Sequence, residues 1–171
     1  MAKRLTTLIG ALALLVTLAH ARSASANARG VGLGVAAGVD LYDHQEIDMK
    51  TSFSWGFFVD IPLLDTFYIT PAAMVYELEL PGSDDKVAAT DIDMNFKFVV
   101  PLHPLSLGFG VTAGLTTGLG DYYGHYGALG YLGWNIVANL DLFAMVQYKR
   151  LTAYSEDYNN IHAYGGVMFR F

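Results

Sequence analysis

The chain has 171 residues and no cysteine. No disulfide framework can therefore form, although an oxidising compartment would permit one, and there is no thiol for a lipoprotein anchor. Basic residues are scarce, 10 Lys and Arg against 16 Asp and Glu. Lys3, Arg4 and Arg22 lie within the first 26 residues, which hold no acid, so the remainder sets 7 basic residues against 16 acidic ones, a formal charge of −9. Nucleic acid is excluded as a partner on this ground, because neutralising phosphates requires a basic patch. Long apolar runs are missing too. Hydrophobic residues make up 53% of the chain, yet beyond the amino terminus charged residues or glycines interrupt every stretch that approaches the roughly 20 residues of a spanning helix. An apolar chain rich in Gly, Tyr and Phe, with no helical span, points to the other structure that satisfies its own backbone in lipid. That structure is a closed β-barrel.

The amino terminus explains the one exception. Lys3 and Arg4 precede an apolar run over 5–19, followed by small residues and Ala24-Ser25-Ala26 in an A-x-A pattern. This reads as a secretory signal peptide, residues 1–26, cut after Ala26, with Ala28 as the alternative. Residues 27–171 then form one domain of a size suited to a single barrel.

Alternation with a period of two, the mark of a strand with one apolar face, recurs in eight runs of about ten residues, the length of a tilted transmembrane strand. The first, 31–41, sets Val31, Leu33, Val35 and Val39 against Gly32, Gly34, Gly38 and Asp40. The second, 50–61, sets Phe53, Trp55, Phe57 and Val59 against Ser52, Ser54, Phe58 and Asp60. In the third, 68–80, Tyr68, Met74, Tyr76 and Leu78 are read outward and Ala73, Val75, Glu77 and Glu79 inward, with a bulge expected at Pro71 because proline cannot donate to a ladder. The fourth turns Asp91, Asp93, Asn95 and Lys97 inward, and the fifth, 105–115, lines its inner side with Ser106, Gly108, Gly110, Thr112 and Gly114. The sixth, seventh and eighth turn in Tyr131 and Gly133, then Phe143, Met145, Gln147 and Lys149, then His162, Tyr164, Met168 and Arg170. Connections after the second, fourth and sixth runs are tight, whereas those after the first, third, fifth and seventh are longer and polar. Short periplasmic turns and longer external loops are the barrel pattern, which puts both termini in the periplasm.

The final run ends on Phe171, with Tyr164, Gly166 and Phe169 at set intervals before it. These four residues resemble the C-terminal signal that bacterial outer-membrane barrels present to the insertion machinery. In length, strand number, loop alternation and terminal Phe, residues 27–171 resemble the eight-stranded OmpA/OmpX-like small-barrel families. The resemblance implies an all-β, up-and-down antiparallel transmembrane barrel integral to the outer membrane, in contact with its lipid and lipopolysaccharide. It carries no activity with it.

Eight strands enclose a lumen that side chains can fill. The inward charges Asp40, Lys50, Glu77, Glu79, Asp91, Asp93, Lys97 and Lys149 are candidates for a buried network. Hairpin register puts Asp40 near Lys50, Lys50 near Glu77 or Glu79, and Glu79 and Glu77 opposite Asp91 and Asp93. Like charges directly opposite are destabilising, so the lysines, protonated carboxyls or a bound cation must compensate them. Three readings follow: an internal brace, a cation site at the acidic mouth, or a narrow conduit for water or small ions. No catalytic, cofactor or metal motif is present; His44 and His125 fall in loops, His103 in a turn and His162 near the top of the last run, and there is no HExxH or GxSxG. A lipid A-modifying enzyme would have to assemble Asp43 and His44 with Ser83 or Ser155 at the external rim. The loop tyrosines Tyr122, Tyr123, Tyr126, Tyr154 and Tyr158, with Asp121, Glu156 and Asp157, suit either an aromatic girdle or an extracellular partner. The sequence is read as a non-enzymatic barrel with no cofactor, in a structural or surface-interaction role.

Overall fold

Among the described residues eight strands follow one another without a helix: β1 (Gly32–His44), β2 (Ile47–Pro62), β3 (Phe67–Glu79), β4 (Lys86–Leu102), β5 (Leu105–Thr117), β6 (Tyr123–Val137), β7 (Leu140–Ala153) and β8 (Glu156–Arg170). The computed structural model describes residues 30–44, 47–79, 86–118, 122–153 and 156–171. The leader, Ser83 and Ser155 lie outside them, as do the side chains of Tyr42, Asp43, His44, Lys50, Glu79, Asp121, Tyr154, Glu156, Asp157 and Tyr158. Every strand pairs antiparallel with its sequence neighbour, and β1 pairs with β8 from Gly32↔Arg170 to Asp43↔Asn159. The sheet closes into a barrel.

Alternation decides which side chain faces where. Phe53, Trp55, Phe57, Phe98, Phe109, Trp134, Tyr148 and Phe169 stand on the outer surface, a continuous apolar skin that water would not tolerate but hydrocarbon would. Facing inward are Asp40, Ser54, Asp60, Asp91, Asp93, Asn95, Lys97, Gln147 and Lys149, together with Phe58, Tyr76, Met74, Phe143, Met145 and Tyr164. The interior is thus the polar side, and large apolar groups fill what the polar ones leave.

The strands run 13 to 17 residues, longer than the expected runs, and the connections expected to be long shrink accordingly. Residues read as loop, among them Thr116, Thr117, Tyr123 and His125, belong to β5 and β6. Backbone pairing does not need an apolar side chain, so a hairpin ladder continues past the point where hydrophobic alternation stops. At the opposite end the connections 63–66, 103–104 and 138–139 are the tight ones expected.

β3 is a correction. Tyr68, Met74 and Tyr76 are buried in the lumen and Glu77 is exposed, the reverse of the phase read from the sequence. The reason is pairing: Ala72 sits opposite Asp93 and Met74 opposite Asp91 on β4, whose inward face is set by its charges. With apolar residues on both faces of β3, hydrophobicity could not choose between them. Pro71 makes no bulge either. The β2–β3 ladder omits two pairs there and resumes in the same register, from Phe58↔Ala72 to Ile61↔Ile69. That ladder also ends at Ser54↔Tyr76, although β2 continues back to Ile47 and β3 on to Glu79. A cleft of about 330 Å³ opens there, lined by Ser52, Phe53 and Trp55 on one strand and Val75, Tyr76 and Glu77 on the other.

Candidate functional site: two charge clusters in the lumen

The buried charges form two groups separated by a layer of rings. Toward the turn end, Asp60 of β2 is the hub. Lys97 Nζ lies 2.7 Å from its Oδ1, Arg170 Nη2 donates to Oδ2 at 2.9 Å, and the Thr70 hydroxyl donates to Oδ1 at 2.5 Å. Arg170 Nε also donates to Asp141 Oδ2 at 2.5 Å, and the Asn135 amide donates to Asp141 Oδ1 at 2.8 Å. Lys97 sits over the Tyr131 ring, 4.1 Å from its centroid, a favourable placement for a desolvated ammonium. Two carboxylates meet two cations, so this cluster is neutral. Gly110 lies opposite Lys97, and a Cβ there would come within 2.8 Å of the Lys97 Cα.

The middle layer is apolar with a few paired amides. Phe58 meets Phe143 edge-on at 5.4 Å and Tyr164 at 5.2 Å, while Tyr131 stacks on Phe143 at 6.2 Å. Such offset and edge contacts are the favoured ring geometries. Met74, Met145 and Met168 fill between them, and Gln147 donates to Asn95 Oδ1 at 2.6 Å.

The cluster at the end away from the tight turns is built on Asp91 and Asp93 of β4. Lys149 Nζ bridges them, 2.8 Å from Asp91 Oδ2 and 2.7 Å from Asp93 Oδ2. Asp91 Oδ1 accepts from the Tyr76 hydroxyl at 2.9 Å and from the Thr116 hydroxyl at 2.7 Å. His125 Nε2 is 2.6 Å from Asp93 Oδ1, and its Nδ1 is 2.9 Å from Thr116 Oγ1. His162 lies with Nδ1 in close contact with Asp40 Oδ1 and Nε2 at 3.6 Å from Asp91 Oδ2.

Of the charges expected in the lumen, Asp40, Asp91, Asp93, Lys97 and Lys149 are buried inside the barrel. Glu77 is not; it faces outward and lies 3.7 Å from exposed Lys86. The expected carboxylate clash across the β3–β4 hairpin does not occur, since Glu77 is opposite Ala88 and Glu79 opposite Lys86. Asp40 pairs with Ser52, and Lys50 with Tyr42, so those two charges are not partners in register. Lys97 serves the Asp60 cluster rather than Asp91 and Asp93. The sequence reading missed His125 as an inward residue, along with Asp141 and the joint role of Asp60 and Arg170. Alternation carried two residues further, from Tyr131 and Leu129 back to Gly127 and His125, would have turned His125 inward.

The terminal motif divides between the two surfaces. Tyr164 joins the ring layer and Gly166 lies against Ala36, where a Cβ would meet the Val35 carbonyl at 2.2 Å. Phe169 and Phe171 stand outside, in edge contact at 5.1 Å.

No protein-family model matches the sequence, and comparison with characterised proteins finds no match by sequence. Solved structures do match. Neisserial surface protein A superimposes with a TM-score of 0.70 at 14% identity, over 82% of this chain and 97% of that one. The fold is that of the small eight-stranded outer-membrane barrels. Ail, the attachment invasion locus protein of Yersinia pestis, matches the barrel with a TM-score of 0.59 at 10% identity, over 84% of this chain and 99% of its own. A second structure of Ail, in complex with the heparin analogue sucrose octasulfate, gives 0.55 at 10% identity over 82% of this chain and 97% of that one. At such identities the likeness covers the barrel fold, not the lumen residues or the loops.

Proposed function

We propose that the protein is an integral outer-membrane barrel, non-enzymatic, with a lumen closed by its own side chains and a structural or surface-interaction role. The observation that carries this reading is the layering of the interior: a neutral charge cluster, a sheet of packed rings and a second charge cluster stacked along the axis. Eight strands leave room for such filling and little more. In this reading Asp60, Asp91, Asp93, Lys97, Lys149 and Arg170 brace the wall by tying strands that are not hydrogen-bonded neighbours, while Asp40 and Asp141 join neighbouring strands through His162 and Arg170.

The orientation follows from the family pattern: residues 1–26 are a cleaved leader, both termini are periplasmic, and Tyr164, Gly166, Phe169 and Phe171 are read by the insertion machinery. Lipid and lipopolysaccharide surround the apolar skin. An extracellular partner would meet the external rim, where Tyr122 and Tyr126 are exposed. Surface contact of this kind suits tyrosine, which offers amphipathic area at low entropy cost.

Planar-bilayer recording of the refolded protein tests the closed lumen. The reading expects a silent bilayer; discrete openings by the unaltered protein would replace it with a conduit for water or small ions. Lipid A mass spectra of cells with and without the gene test the non-enzymatic part, an altered acyl pattern being the outcome that refutes it.

A further inference from the structure

The cluster built on Asp91 and Asp93 holds more than bracing requires. Three carboxylates, Asp40, Asp91 and Asp93, share it with a single ammonium, Lys149, and two imidazoles, all buried. The Asp60 cluster, by contrast, is balanced. The two histidines are arranged alike. Each has an oxygen at Nδ1, Asp40 Oδ1 for His162 and Thr116 Oγ1 for His125, and each turns Nε2 to a carboxylate of β4. An oxygen at the far ring nitrogen is what orients an imidazole that ligates a metal through the other.

His125 Nε2 is hydrogen-bonded to Asp93 at 2.6 Å, but at His162 the distance is that of ligands and not of a hydrogen bond. His162 Nε2 and Asp91 Oδ2 are 3.6 Å apart, too far for a hydrogen bond. It is close to the separation of two atoms bound to one ion at about 2.0–2.2 Å in tetrahedral geometry. Nε2 of His162 makes no hydrogen bond, although the residue is fully buried and aimed into the cluster, while Nδ1 is taken by Asp40. Such a group calls for a partner. One ligand atom each from Asp91, Asp93 and His125 falls within 4.8 Å of the others. Between the two carboxylates a cation already sits, in the form of the Lys149 ammonium.

We propose that Asp91, Asp93 and His125, whose ligand atoms already lie together, form a binding site for a divalent transition-metal ion of the zinc class, which displaces the Lys149 ammonium from between the carboxylates and draws in Nε2 of His162 from beside Asp91 as its fourth ligand. Asp40 and Thr116 are positioning residues that hold the two imidazoles. Two imidazoles with two carboxylates suit zinc, cobalt or nickel, whereas calcium and magnesium select all-oxygen sets. The side cleft at the end of the β2–β3 ladder gives a route, since Tyr76 both lines it and donates to Asp91.

The test uses full-length mature protein refolded in detergent, stripped with chelator and titrated with Zn²⁺ or Co²⁺. Folding of each variant is checked by the gel mobility of unheated protein. Zn²⁺ is expected to raise the thermal midpoint, as any ligand of the native state does, and Co²⁺ to develop the visible absorption of a tetrahedral nitrogen and oxygen site. Lys149→Met removes the internal competitor and is expected to tighten the apparent Kd roughly tenfold or more. The His125→Gln, His162→Gln double variant is expected to lose both signals. Two results overturn the proposal: no zinc shift and no cobalt band in either the unaltered protein or Lys149→Met, or signals undiminished in the double variant, which would put the ion on surface histidines such as His103. If the double variant does not fold, the Lys149→Met comparison decides, an unchanged or weaker Kd refuting displacement.

Discussion

Asp60 takes contacts from three strands at once, through Thr70, Lys97 and Arg170. Removing its charge leaves two desolvated cations to share Asp141, and breaking a buried pair from one side costs roughly 3–5 kcal/mol. Asp60→Asn is therefore expected to lower the urea midpoint of the refolded barrel strongly. Glu77→Gln makes the contrast, because the Glu77–Lys86 pair is mostly solvated, with side chains 64% and 58% exposed. Such surface pairs are worth about 0–1 kcal/mol, and the same urea titration should barely register it. At this scale the sequence is informative about facing and silent about partners. Alternation along β2 and β8 turns Asp60 and Arg170 inward, but they lie 110 residues apart and meet over Gly32 of β1, which separates their strands. Hairpin register reaches only adjacent strands, and even there a tighter turn moves the partner of Glu79 by five residues, from the expected Asp91 to Lys86.

Strand number, order and most facings are legible in the sequence because seven of the eight strands carry one face far more polar than the other. β3 does not. Its inward set of Tyr68, Met74 and Tyr76 is as apolar as its outward set, and its phase is fixed only by the Asp-rich face of β4 beside it. β5 shows the complementary device: small inward residues that leave space for long side chains from elsewhere. A Cβ on Gly114 would meet the Ile92 carbonyl at 2.2 Å and His125 Nε2 at 2.7 Å. Gly114→Ala is expected to push His125 off Asp93 and to cost about 1–3 kcal/mol by overpacking. Gly130 on β6 has nothing within 4 Å of its Cβ position, so Gly130→Ala should leave the unfolding midpoint unchanged. Equal loss in the two variants would remove steric space as the reason for the glycines of β5.

For the molecule as a whole, the ring layer is the barrier between the two charge clusters. Phe58 of β2 and Phe143 of β7 are in mutual contact within it, and each also touches a tyrosine. Phe58→Ala with Phe143→Ala removes that contact at about 3–5 kcal/mol per ring, which a barrel closed by its backbone can survive. Discrete openings in a planar bilayer are expected from this variant and not from the parent; a silent variant would place the barrier elsewhere. The whole-molecule architecture is readable from periodicity because lipid enforces it: each backbone group must find its partner inside the chain. One corner of the wall departs from that rule. Above Ser54 and Tyr76 the second and third strands part company while each keeps its pairing with β1 or β4, so the ladder there is held from one side only. Deuterium should enter at Thr51, Phe53 and Glu77 well ahead of the β1–β8 seam, and sideways breathing of the cylinder would begin at that unlaced notch.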